Sequence, residues 1–294
     1  MERQFGAGAN AHMTASADHA VINVLYRMDA AVERFRTFGF TLTERGHHSL
    51  GSINHLMMFD TDYLELIGLP HGAARIRREV ADSPLGLNGL VFATHDADAL
   101  HQKLVAQGVA VESPLAFHRP VTIDGVVHRA SFRTVRFAPG YVQGGRVYFC
   151  EHRTPHLVWR PEWQRHRNGV HGLAAFTIVL AEPAREAEVY ARMVGGTPRH
   201  LSGDEIDLTL GTFTVRFMSR VCYGERYGNY GCDAAGRDAF MGALSLRTTA
   251  LARVRECIAA APDFAHGVAE VQSSPARITV PAACAFNTVL EFVE

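Results

Sequence analysis

The strongest constraint on this chain is a pattern that occurs four times: a short strand, a helix, a glycine, and then two or three β-rich segments. In the first copy an alternating apolar strand at residues 19–24 precedes a helix whose side chains Ala31, Phe35 and Phe38 share one face. Gly39 suits the left-handed position that ends such a helix. Further strands are predicted at residues 41–45, 53–59 and 63–67.

The same order of elements returns three more times. The later copies begin with strands at residues 86–93, 170–179 and 241–246, each followed by a helical apolar pattern. In the second copy, β segments are predicted at residues 127–137 and 146–151, and the last copy closes at residues 288–293. The repeat therefore predicts an α+β chain of four βαβββ modules in tandem.

Segments outside the repeat predict the domain boundaries. Residues 1–17 are expected to be a disordered tail or a remnant preceding the fold, with a second start at Met13. Two modules fill residues 18–152 and two fill residues 169–294, and the segment 153–168 connects them. Residues 221–237, rich in glycine and tyrosine, predict either a mobile surface loop or a lid over a cavity.

Composition excludes several classes of protein. Lys and Arg total 29 against 30 acidic residues without a basic run, which argues against nucleic-acid binding. No apolar run is long enough to cross a bilayer. Five cysteines without a CxxC pair favour a reducing, cytoplasmic location over a disulfide framework. No GxSxG, HExxH or P-loop motif is present.

Several segments carry a family resemblance. Residues 18–24, 39–40 and 62–68 resemble the glyoxalase-like domain proteins of the vicinal-oxygen-chelate (glyoxalase/bleomycin resistance/extradiol dioxygenase) superfamily, and residues 148–163 add to the likeness. The resemblance implies that modules pair into two cup-shaped mixed β-sheets with helices outside. It also implies a divalent metal (Zn, Fe, Mn or Ni) in a cup and a small-molecule substrate. Because such cups can be completed within or between chains, a homodimer is compatible with it.

The first pair of modules contains most of a metal-binding set. In these modules His19 lies on a first strand, while Glu65 and Glu151 end the last strands. About three His or carboxylate ligands leave positions open for a substrate or water on such a metal. We therefore predict His19, Glu65 and Glu151 as metal ligands, with the two glutamates also catalytic.

Asn88 departs from this pattern, because the superfamily usually has His or Gln at that position. An amide oxygen is a weak neutral ligand, so other side chains would have to compensate. The predicted residues of the substrate pocket are His55, Asn88, His118 and His128.

The second pair of modules is less well equipped. His171 and Glu291 fall at ligand-type positions, but Met241 and Arg216 replace the other two. A thioether is a poor ligand for a hard divalent ion, and a guanidinium cannot bind one. Residues 169–294 are therefore expected to serve as a scaffold.

Three functions are consistent with this set of residues. The first is a metal-dependent lyase or isomerase of the glyoxalase type, which suits a site with two glutamates. The second is an extradiol-type ring-cleaving dioxygenase using Fe²⁺, which would need His55, His118 or His128 to reach the metal. The third is a metal-free protein that binds a small molecule or confers resistance to it.

Overall fold

The computed structural model describes residues 14–259, 269–271 and 277–294. Its strands are β1 (Ala17–Leu25), β2 (Gly46–His47), β3 (Ile53–Met58), β4 (Tyr63–Gly68), β5 (Gly86–Ala93), β6 (Leu115–Ile123), β7 (Val126–Arg136), β8 (Arg146–His152), β9 (Val170–Val179), β10 (Pro198–Ser202), β11 (Glu205–Leu210), β12 (Phe213–Met218), β13 (Phe240–Thr248), β14 (Ala269–Val271), β15 (Arg277–Val280) and β16 (Val289–Val293). Its α-helices are α1 (Met28–Thr37), α2 (Arg78–Ala81), α3 (Ala97–Ala106), α4 (Pro183–Val194), α5 (Arg220–Tyr227) and α6 (Leu251–Ala259).

The strands form two curved mixed sheets of the same topology. The first has the order β2-β3-β4-β1-β5-β8-β7-β6, and the second has the order β10-β11-β12-β9-β13-β16-β15-β14. In each module the first strand is parallel to the last, and the first strands of paired modules run antiparallel. The prediction of four βαβββ modules paired into two cups is confirmed.

Alternation along the strands separates a helix-covered face from a concave face. On β1, Ala20, Ile22 and Val24 belong to the core beneath the helices, whereas Val21 belongs to a separate cluster on the concave face. The helix-side core continues from one sheet to the other, and the rings of Phe40 and Phe292 lie 6.3 Å apart. The two halves therefore share one apolar core.

The connector between the halves packs over the first cup. It begins with a 3-10 turn at Pro155–Leu157, after which the Trp159 ring lies 4.7 Å from that of His152 and 5.9 Å from that of Tyr63. His166 bonds back to the first module, because its Nε2 donates to the Met58 carbonyl at 2.8 Å. Side chains of the connector thus form part of the wall of the first cup.

Several local elements differ from the predictions. Residues 41–45 are not a strand, and β6 was not predicted because its polar residues hide the alternation. Most of residues 221–237 is neither a mobile loop nor a lid: α5 packs into the second cup, where Tyr223 and Tyr227 are 5% exposed. The Tyr223 hydroxyl donates to the Gly242 carbonyl at 2.9 Å, which fixes α5 against β13.

At the N-terminus, β1 starts at Ala17, and the Ala15 N–H donates to the Val194 carbonyl at 2.7 Å. The rest of the predicted tail, residues 1–13, lies outside the described residues. Among the helices of the described chain, none combines the length and apolar character needed to cross a membrane.

Candidate active site in the first cup

The concave face of the first sheet encloses a small polar cavity. Side chains from β1, β3, β4, β6, β7 and β8 line it, together with the segment that follows β2. Phe117 and Phe132 stack with ring centroids 5.1 Å apart and form one wall. The cavity volume is about 30 Å³, room for one water molecule, so a larger ligand enters only when lining side chains move.

His19 on β1 is held from behind by a carboxylate. Its Nδ1 lies 2.5 Å from Asp18 Oδ2, and its ring stacks on Tyr63 at 4.3 Å. Burial alone would raise the pKa of Asp18, but the charges and hydrogen bonds of His152 and His19 lower it below the ordinary value. An ionised Asp18 accepts a hydrogen bond from His19 Nδ1 and fixes the ring, so that Nε2 faces Glu65 in the cup.

His48, just after β2, is the second imidazole of the site. Its side chain is 6% exposed, Nδ1 lies 2.8 Å from Ser52 Oγ, and Nε2 lies 3.9 Å from Glu65 Oε1. Burial is the main cause that lowers the pKa of His48 to about 4, although the nearby Glu65 opposes it. His48 is therefore neutral at pH 7, as a metal-binding imidazole must be.

Glu65 on β4 lies between the two imidazoles. Its neighbours Leu64 and Leu66 belong to the helix-side core, so alternation turns Glu65 to the cup. Oε1 accepts from Asn54 Nδ2 at 2.7 Å, and Oε2 lies 3.6 Å from His19 Nε2. Burial would raise the pKa of Glu65, but the charges of His48 and His19, when these imidazoles are protonated, and the Asn54 hydrogen bond lower it below its ordinary value.

These three side chains face one another but do not form a preassembled metal site, because no choice of one ligand atom from each puts all three atoms within 4.8 Å of one another. Ligands bound at about 2.0–2.2 Å to one ion are separated from each other by roughly 3–3.5 Å. The N···O separations of 3.6 and 3.9 Å involve different oxygens of Glu65, so the imidazoles and the carboxylate would have to move together to bind one ion. Both Nδ1 atoms already have outer partners, Asp18 and Ser52, as metal-bound histidines usually do.

A second group of potential ligands lies deeper. Ligand atoms of Asp18, Cys150 and His152 are within 4.8 Å of one another. Asp18 already accepts from His152 Nε2 at 3.1 Å and from His19. Burial raises the pKa of the Cys150 thiol well above its ordinary value, so it is protonated at pH 7. This group is therefore better suited to orienting His19 than to binding an ion.

Cations dominate the rest of the cavity. Arg119 on β6 is 4% exposed, and its guanidinium carbon lies 6.0 Å from the centroid of the Phe132 ring. At one end of the cup, Arg77, Arg136 and Arg146 approach the carboxylate of Glu79 at 2.8, 3.5 and 3.6 Å. Among the described residues that line the cavity, Glu65 has the only carboxylate.

The structure does not bring Glu151 to His19 and Glu65. Phe149 packs in the helix-side core and Cys150 in the cup cluster, so Glu151 points to the helices. Its Oε2 accepts from the Ala97 N–H at 3.0 Å, at the start of α3, and its Oε1 pairs with Arg153 at 2.9 Å. Glu151 stabilises a helix N-terminus here, and the predicted three-residue ligand set is not assembled.

None of the predicted pocket residues lines the cavity. His55 faces away from it and bonds the Thr43 carbonyl at 2.7 Å. His118 lies between the cavity residues Phe117 and Arg119, so alternation turns it outward, and His128 is exposed on β7. Asn88 Oδ1 accepts from Arg146 at 3.3 Å, beside the arginine cluster.

Comparisons with known proteins agree with this architecture. A family model described as "Glyoxalase-like domain" matches residues 17–194. The chain belongs to the glyoxalase-like domain family. No curated protein matches it.

Solved structures similar to this family member share its fold at low sequence identity. A hypothetical protein from Staphylococcus aureus has a TM-score of 0.65 at 12% identity, covering 95% of this chain and 98% of its own. A mutant of 4-hydroxymandelate synthase from Streptomyces coelicolor scores 0.59 at 11% identity, with 95% and 92% covered. The 2,3-dioxygenase LapB from Pseudomonas sp. KL28 scores 0.58 at 12%, with 96% and 93% covered.

In this glyoxalase-like protein the second cup has a different chemistry. In the first sheet Glu65 on β4 pairs with Val21 on β1. In the second sheet Arg216 on β12 pairs with Thr177 on β9, the equivalent first strand, so Arg216 occupies the position of Glu65. It forms a bidentate pair with Asp207 at 2.7 and 2.8 Å. The same register puts Ala175 at the position of His19.

The other ligand-type residues predicted for the second cup are also engaged elsewhere or displaced. His171 is part-exposed near Asp60, at 3.6 Å, rather than inside the cup. Glu291 faces the second cup but pairs with Arg277 at 3.0 Å and accepts from Ser245 Oγ at 2.7 Å. Met241 packs in the helix-side core. The second cup is filled by the buried side chains Tyr223 and Tyr227 and by the ion pairs of Arg216 and Arg277. It is therefore a packed core.

His48, Arg119 and Tyr148 are among the cavity residues that the sequence did not reveal. His48 follows a strand of two residues, too short to show alternation. Arg119 precedes Pro120 in a strand with a polar pattern. The signal available was only the pair of adjacent histidines at positions 47 and 48 after a glycine.

Proposed function

We propose that the first cup is a metal-dependent active site for a small oxygen-rich molecule, with His19, His48 and Glu65 as the ligands. The observation that carries the proposal is that both Nε2 atoms face the same carboxylate while both Nδ1 atoms are held by outer partners. Two histidines and one carboxylate with open positions are typical of non-haem Fe²⁺ oxygenases. An oxygenase reaction is therefore the leading candidate.

Such a metal, when bound, would supply Lewis-acid or oxygen-activating chemistry at two vicinal oxygens of the substrate. Asp18 and Ser52 would fix the orientation of the two imidazoles. Burial is the main cause that raises the pKa of Tyr148, so its hydroxyl, 3.4 Å from His19 Nε2, stays protonated and can donate to a substrate oxygen. Phe117, Phe132 and Trp159 would exclude water.

A glyoxalase-type isomerase or lyase is the second candidate, supported by membership of the glyoxalase-like domain family. That chemistry needs a group that moves a proton. The carboxylate predicted for this step, Glu151, lies on the helix face, and Glu65 would be a metal ligand. A proton would therefore have to move through a phenol such as Tyr148 or through Glu65 itself.

The test is metal content after loading with Fe²⁺, Mn²⁺, Zn²⁺ or Ni²⁺, measured by elemental analysis on protein purified without metal-affinity resin. We expect about one ion per chain in the wild type, and loss of that ion in His48→Ala and Glu65→Gln. Ser52→Ala should weaken binding about 10- to 100-fold, because it removes an outer partner. His128→Ala, an exposed histidine on β7, is the matched control.

Oxygen uptake by the Fe²⁺ form, across catechols and small oxygen-rich acids, separates the two reactions. Uptake with product formation supports the oxygenase, whereas anaerobic turnover supports the isomerase. A wild type that binds no ion and gains no thermal stability from any of the four metals would refute the proposal and favour a metal-free binding protein. Normal metal content in His48→Ala would refute the ligand set.

A further inference from the structure

The first cup contains a buried guanidinium, that of Arg119, which pairs with no carboxylate among the described residues. Arg119 is 4% exposed, and no hydrogen-bond acceptor among the described residues reaches its Nη2. No carboxylate of the described chain lies within 4.0 Å of its guanidinium. Its charged neighbour Glu65 is hydrogen-bonded to Asn54 and faces the two imidazoles instead.

The charges around Arg119 increase this imbalance. At one end of the cup three guanidinium groups, those of Arg77, Arg136 and Arg146, share the single carboxylate of Glu79. Arg77 and Arg136 line the same cavity as Arg119. Among the described residues that line the cavity, Glu65 is the only one with a carboxylate. The interior therefore has an excess of positive charge before any metal is counted.

An unpaired buried charge is costly to the folded protein unless something bound supplies the counter-charge. A guanidinium is planar and presents a fork of donors that matches a carboxylate with two parallel hydrogen bonds. It cannot lose its proton at physiological pH, so the cavity cannot remove the charge by titration. The missing partner is therefore an anion that enters with the ligand.

We infer that Arg119 binds a carboxylate group of the substrate, so that the first cup accepts small oxygen-bearing carboxylic acids and discriminates against their neutral analogues. The inference rests on the proposed function, in which the first cup is the substrate site. The aromatic rings of Phe117 and Phe132 beside Arg119 would contact the uncharged part of the acid. The carboxylate would lie on the β6–β7 side of the cup.

Isothermal titration with two matched pairs of probes tests this: pyruvate against pyruvamide, and benzoate against benzamide. We expect each acid to bind the wild-type chain at least about tenfold more tightly than its amide. Arg119→Met should weaken the acids by about ten- to a hundredfold and leave the amides unchanged. Arg119→Lys, which keeps the charge without the fork, should fall between. Arg129→Gln removes an exposed arginine from the same hairpin and should bind like the wild type.

The thermal unfolding midpoint without ligand separates a ligand-binding arginine from a structural one, because replacement of a structural arginine would lower the midpoint. Relief of an unpaired buried charge should leave Arg119→Met with an unfolding midpoint at or above that of the wild type. A clearly lower midpoint with unchanged acid affinity, or equal affinity of the wild type for acids and amides, would overturn the inference.

Failure here is distinguishable from failure of the proposed function, because metal content depends on other side chains. Arg119→Met should keep the wild-type ion. Titrations are run on both metal-loaded and chelator-treated protein. A wild type that binds no ion but still prefers acids through Arg119 refutes the metal site alone, whereas metal binding without a preference for acids refutes the carboxylate inference alone.

Discussion

Asp62, in the turn between β3 and β4, makes the stability of this protein depend on pH. The side chain is 4% exposed at the junction of the halves, where Oδ1 accepts from the Leu173 N–H at 2.9 Å. Burial, only partly opposed by this hydrogen bond, raises its pKa from 3.8 to about 7. At 1.36 kcal/mol per pKa unit, this shift corresponds to a change of roughly 4 kcal/mol in the free energy of unfolding between low and high pH.

The sign follows from proton binding. Between pH 4 and 7 the unfolded chain has lost the Asp62 proton while the folded chain keeps it, so stability falls as the pH rises. The stability that depends on the protonated Asp62 side chain is fully present below about pH 4 and is lost as the pH rises through 7. Asp62→Asn cannot ionise, and its amide oxygen can still accept from Leu173. We expect it to match the wild type near pH 4 and to exceed it by about 2–4 kcal/mol at pH 8.

The assay is urea unfolding at pH 4.5, 6 and 8 in chelator, followed by the fluorescence of Trp159 and Trp163 in the connector. Asp60→Asn is the matched control, since Asp60 lies two residues away with its side chain 68% exposed. A difference between Asp62→Asn and the wild type that is the same at all three pH values would refute the reasoning, as would an equal effect of Asp60→Asn.

Two further predictions separate structure from metal binding. Glu151→Ala should lower the free energy of unfolding, measured by denaturant titration, by about 1–3 kcal/mol, because it leaves the buried Ala97 N–H without its acceptor. Metal content should not change. Loss of the metal at unchanged stability would contradict the placement of Glu151 on the helix face. Arg216→Met should cost about 3–5 kcal/mol in the same assay, because it leaves the buried Asp207 carboxylate unpaired. The double variant Arg216→Met/Asp207→Asn should recover part of that loss; equal losses in the single and double variants would show that the ion pair is not the cause.

Much of the fold was predictable because it depends on short-range patterns. The period of two in the strands and the apolar helix faces, with the glycine after the first helix, predicted the modules, since each module must bury one face of its sheet. His19 and Glu65 were singled out by the positions that the family resemblance implies, and they lie on two strands that pair within the first module. The position of Arg216 likewise predicted that the second cup could not repeat the first.

The rest of the site was decided by tertiary structure. A shift of one residue in a strand reverses the face of every side chain, so Glu151 and His55 face the helices although their sequence positions resemble those of ligands. His48 reaches the cup from the end of a two-residue strand, and its distance to Glu65 depends on how that edge folds over β3. The sequence alone predicted that two cups would form and that the candidate metal ligands would lie in the first. Which side chains meet inside that cup, including the unpaired Arg119, depended on register and packing between segments distant in the chain.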